Sequence, residues 1–157
     1  MNRHLETALR FVNLTASGLL AGSLGFGEAA LVPGWQEELP RNRSNVIEAL
    51  RHLNYYNAIG PVALGTAVTL AVGTRNNAAK RLLDAASAVA LAGVLAATIM
   101  VTVPINKELE EQAPTDYPSD RSLEMSKNWA RAHAVRTTLG ISAFVCAVAS
   151  GVAGRRG

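Results

Sequence analysis

The stretch AASAVALAGVLAATIMVTVPI, residues 85–105, contains no charged side chain. About 20 consecutive apolar residues are enough for a helix to cross the hydrocarbon layer of a bilayer. A helix facing water shows polar side chains with every turn. This stretch offers only Ser87, Thr98 and Thr102. Lipid, rather than water, is therefore its expected solvent. Three more runs of the same kind flank it: residues 11–32, interrupted only by Glu28, and the uncharged runs 55–73 and 137–154. Pro33-Gly34 stops the first. The expected fold is all-α, an integral membrane four-helix bundle forming a single membrane domain over residues 1–157.

The bulk composition hides this pattern. Of 157 residues, 49% are hydrophobic and 17% charged, and the mean hydropathy is only +0.16. The charges are confined to the connections, and alanine and glycine replace much of the leucine usual in lipid-facing helices. The net charge is +3. The basic residues form no groove-sized patch with interleaved aromatics, so no nucleic-acid partner is expected. Cys146 is the sole cysteine, which excludes an intrachain disulfide and a cysteine-based metal cluster. The basic start and following apolar run also have the outline of a secretory signal. The three further spans favour a first membrane helix.

The sidedness rests on the short segments. Arg3, Arg10, Arg75, Lys80, Arg81, Arg155 and Arg156 are concentrated in them, with Glu6 and Asp84 the only acids nearby. The remaining basic residues are diluted over two long connections rich in acids. Dense basic charge in short loops marks the cytoplasmic face. Both termini are expected in the cytoplasm, with the plasma membrane as the location and the two long loops extracytoplasmic. Gly18, Gly22 and Gly25 offer a small-residue seam for close helix packing. A short internal repeat is visible as well. Leu31-Val32-Pro33-Gly34 closes the first run and Thr102-Val103-Pro104-Ile105 the third. Each leads through an acidic stretch and a polar amphipathic segment (46–57 and 123–136) into the next span. Two pseudo-repeated helical hairpins would result.

The polar residues with chemical potential gather at the loop ends of the spans. Glu28 lies about one turn inside its run, a costly position for a carboxylate unless it is paired or neutral. It reads either as an interfacial residue reaching water or as a buried acid–base group. Trp129, His133 and Arg136 are spaced to share one helix face. Arg136 presents a fork of donors for an anionic oxygen, and His133 exchanges a proton near neutral pH. The same trio also fits an interfacial belt. Asn106, Asn57, Tyr55 and Tyr56 are candidates to orient a ligand or to satisfy helix ends. His52, His133 and Glu28 make up a metal-ligand alternative, two histidines and a carboxylate. No cofactor is predicted, with non-haem metal or haem left open. Phosphate-loop, dinucleotide and zinc-helix motifs are absent.

Val103-Pro104-Ile105-Asn106, followed by Trp129, His133 and Arg136-Thr137, resembles the anthrone oxygenase-like family of small membrane proteins. Leu20-Ala21-Gly22, Val32-Pro33 and Asn57 fit as well, and the resemblance spans residues 14–151. Many family members carry asparagine at the position of His133. The resemblance implies an oxidoreductase that takes an aromatic polyketide-type anthrone to an anthraquinone with molecular oxygen. It would make His133 the base, Arg136 the oxyanion partner, Trp129 with Tyr55 or Tyr56 an apolar slot, and Glu28 an orienting or protonating group. The implied partners are membrane lipid, an apolar aromatic small molecule and oxygen, with an oligomer allowed. Competing readings are a non-enzymatic accessory or scaffold protein and a small-molecule carrier.

Overall fold

Asn2 opens the first helix: its side chain accepts from the Leu5 N–H at 3.0 Å, taking up one of the orphan donors of a helix start. Helix α1 (Arg3–Phe26) then runs into a π turn, π1 (Gly27–Leu31). Helix α2 is Tyr56–Gly73, with Pro61 in its first half. Asn77 caps α3 (Ala78–Ala97) by accepting from Lys80 N–H at 3.0 Å. A second π turn, π2 (Thr98–Thr102), leads into α4 (Val103–Glu111). Helix α5 is Asp120–Val152. The computed structural model describes residues 1–34, 56–74, 76–111 and 120–153. His52, Tyr55 and most of the first amphipathic segment lie outside the described residues, as do the side chains of Tyr56 and Asn57.

Around the bundle, α1 packs on α2 and α5, and α3 packs on α2 and α5, which leaves α1 diagonal to α3. Among the described residues, three continuous helices are long and apolar enough to cross a membrane: Arg3–Gly34, Ala78–Glu108 and Glu124–Val152. The apolar part of α2, Ala58–Gly73, is shorter. The amphipathic segment 123–136 is not a separate element; it belongs to α5, a helix of 33 residues. At 1.5 Å per residue it is about 50 Å long, well beyond the hydrocarbon thickness. Its N-terminal half can therefore stand at one membrane surface while its C-terminal half crosses.

Both π turns stand directly before a Val-Pro pair, Val32-Pro33 and Val103-Pro104. Proline has no N–H to continue the ladder. In each case the preceding valine reaches back five residues instead of four, Val32 N–H to Gly27 O and Val103 N–H to Thr98 O. The sequence repeat is thus a repeat of structure.

The core is made of small residues and leucines: Leu20, Leu24, Ala63, Ala67, Leu91 and Ala143 among others. Glycines act as notches for bulky side chains. A Cβ on Gly140 would stand 2.8 Å from Leu24 Cδ1, and one on Gly93 2.9 Å from Leu139 Cδ1. The expected Gly18, Gly22 and Gly25 seam is only partly used. Gly18 faces Phe144, whereas nothing approaches within 4 Å of a Cβ at Gly22 or Gly25. At the end holding the termini, the Arg10 guanidinium reaches Asp84 through both Nη atoms at 3.2 Å, Ser150 Oγ at 2.8 Å and Thr74 Oγ1 at 3.4 Å. Asp84 is fully buried. This one cluster joins α1, α3, α5 and the residue after α2, and it sets the N-terminal part of α1 beside the C-terminal part of α5.

Candidate functional site

The opposite end holds the predicted polar residues. Along one stripe of α5, Trp129, His133, Arg136 and Thr137 all point inward and are 5–7% exposed. All four are held by groups on the two helices that carry π turns. The Trp129 indole N–H donates to Asn106 Oδ1 in α4 at 3.0 Å. Its ring lies parallel to the His133 imidazole, centroids 5.0 Å apart and planes 6° apart. Val32 and Ile105 complete the apolar packing around it. Arg136 Nη1 donates to Thr102 Oγ1 at 2.9 Å, at the last residue of π2.

His133 is the most constrained group. Nε2 lies 3.1 Å from the carbonyl oxygen of Leu24, which also accepts from Thr137 Oγ1 at 3.3 Å. Leu24 precedes π1, where the α-helical ladder gives way to the wider turn. A carbonyl only accepts, so Nε2 must carry the proton. Nδ1 is then the free lone pair, and it is buried with no hydrogen-bond partner among the described residues. Gly27, the first residue of π1, makes this arrangement fit: a Cβ there would stand 2.7 Å from Nε2 and 2.9 Å from Cε1. Glu28 follows in the same turn, and its Oε2 is likewise buried without a partner. Buried polar atoms normally find partners; among the described residues these two, at the same end of the bundle, have none.

The structure therefore connects Asn106, Trp129 and His133, puts Arg136 beside them on the same buried stripe of α5, and puts Glu28 on the turn that contains Gly27. Asn57 and Tyr56 begin α2 without described side chains. Among the described residues no group of three or more His, Cys, Asp and Glu is placed to hold a metal; His52 of the metal alternative lies outside them. Three contributors escape sequence reading. Gly27 and the Leu24 carbonyl act through backbone geometry, which no motif encodes. Thr102 carries a weak signal, since it directly precedes the Val103-Pro104 pair.

The described residues thus form an all-helical bundle with three helices long and apolar enough to cross a membrane, two π turns, and a buried histidine–arginine stripe at one end. A family model described as anthrone oxygenase matches residues 51–146. The chain belongs to the anthrone oxygenase family. No curated protein and no solved structure matches it.

Proposed function

We propose that the protein oxidises an anthrone-like aromatic substrate to the quinone with molecular oxygen, at the end of the bundle formed by π1, π2 and the first half of α5. The observation that carries this reading is His133, with Nε2–H tied to a backbone carbonyl and Nδ1 left as a buried acceptor. Such an atom is a general base in wait for a proton.

The chemistry follows from the substrate. The methylene of an anthrone is acidic because its carbanion delocalises into the ketone. His133 Nδ1 takes the proton, and the negative oxygen formed is held by Arg136, as charge stabilisation at a preorganised donor requires. The electron-rich anion passes one electron to oxygen, and the resulting radical pair joins in a C–O bond. The imidazolium returns its proton to the peroxide. Removal of the second C–H proton then breaks the O–O bond, and hydroxide leaves as water. The balance is one oxygen consumed, one water released and a CH2 converted to C=O. Glu28 is placed to relay or orient a proton. Trp129 holds the imidazole in plane through stacking. Polycyclic aromatics and oxygen both partition into lipid, which suits a site at the membrane surface. The termini are on the cytoplasmic side of the plasma membrane in this reading.

The test uses protein purified in detergent, an anthrone and air, with quinone absorbance as the readout. Quinone forms with the wild type, and the His133→Ala, Arg136→Ala double variant falls to the uncatalysed rate. Undiminished activity in that variant defeats the assignment.

A further inference from the structure

The stripe of Trp129, His133 and Arg136 is almost closed off, with exposures of only 5–7%, so a substrate needs a way in. We infer that the groove on the lipid side of α4 and α5 is that way, a binding site for a flat, apolar aromatic molecule next to the reactive stripe; this rests on the function proposed above. The groove encloses about 540 Å³, in the range of pockets that hold small organic ligands. Its bed is apolar, from Met100, Pro104 and Val135. Met100 and Val135 are 76% and 53% exposed and face outward. One end is polar, with Asn128, Arg131 and Glu108 on the rim. An aromatic ketone or phenol has this same division, a large apolar body with oxygens at its edge.

Continuity with the stripe decides the assignment. Ile105 and Ala132 line the groove. Ile105 also packs on Trp129 from the other side, and Ala132 directly precedes His133 on α5. Ile105 thus belongs both to the groove and to the packing around Trp129, on which the imidazole is stacked. Close by, Arg136 reaches across to Thr102 of π2, a turn whose hydrogen-bond ladder is already irregular. The molecule provides a comparison within itself. A second groove of about 300 Å³ between α1 and α2 is lined by Phe11, Leu19, Val62 and other nearly all apolar residues. Among the described residues its lining is apolar but for Thr15, as befits a surface covered by lipid chains.

The test is equilibrium binding of anthraquinone to the full chain in detergent–lipid micelles, which needs no turnover. Val135→Trp fills the first groove from an exposed position, and Val62→Trp fills the second. The Kd for anthraquinone rises about tenfold or more in Val135→Trp and is unchanged in Val62→Trp, and kcat/KM for an anthrone falls with it, chiefly through KM. Equal affinity in wild type and Val135→Trp, equal loss in both variants, or no binding by the wild type overturns the inference. Protein that binds anthraquinone in this groove yet oxidises no anthrone leaves the groove standing and defeats the proposed reaction instead.

Discussion

At Gly27 a single added methyl group would stand 2.7 Å from His133 Nε2. The imidazole has little freedom to yield, because it is stacked on Trp129 and bonded to the Leu24 carbonyl. Moving it breaks the bond that selects the tautomer and with it the availability of Nδ1. Gly27→Ala is therefore expected to lower kcat by about tenfold or more, equivalent to about 1.4 kcal/mol in the barrier, while the helical circular dichroism is retained. The discriminating readout is 15N NMR of the His133 ring: one Nε2–H tautomer in the wild type, a mixture in the variant. An unaltered ring spectrum together with full activity would show that the glycine has no positioning role. His133 itself is legible in the sequence as a proton-transfer candidate, because histidine at helical spacing from tryptophan and arginine stands out. The nitrogen that acts is not legible, since the choice is made by a carbonyl 109 positions away.

Among the elements, the π turns and the terminal-end ion pair show what a linear reading misses. Pro104 reads as a simple stop, yet its helix continues to Glu111 after a widened turn. Proline's missing N–H is visible in sequence; whether the chain ends there or widens depends on packing against α5. The repeat of Val-Pro is legible, and its consequence, two turns gripping opposite ends of the His133–Arg136 stripe, is not. Asp84 likewise reads as one acid beside Lys80 and Arg81. In the fold it is fully buried and paired with Arg10, 74 positions earlier. Removing one partner of a buried pair leaves the other charge without compensation. Here Arg10 keeps its ion pair with Glu6, Nε–Oε1 2.9 Å, so Asp84→Ala is expected to cost about 1–3 kcal/mol, seen as a lower melting temperature in detergent. Arg10→Met combined with Asp84→Leu should recover much of that loss, because a packed apolar pair can replace a buried ionic one. A melting temperature unchanged by Asp84→Ala would mean that the cluster does not hold the four helices together.

For the molecule as a whole, the absence of charge from long runs makes the architecture legible, because lipid requires every backbone polar group to be satisfied internally, and runs of about 20 apolar residues do so as helices. The lengths are less legible. Residues 123–136 carry charge and read as a lead-in, whereas they continue α5 and carry the candidate site beyond the apolar stretch. The resulting division is a terminal end fastened by Arg10–Asp84 and an opposite end where Glu28 Oε2 and His133 Nδ1 are buried without a partner among the described residues. Oxygen uptake by the protein in liposomes, measured with an electrode as an anthrone is added, examines this account most directly. It predicts oxygen consumed in equal amount to quinone formed, at a rate that collapses in His133→Ala and persists in Val62→Trp. Uptake at the same rate in liposomes carrying His133→Ala, or none above that of empty liposomes with the wild type, would contradict it.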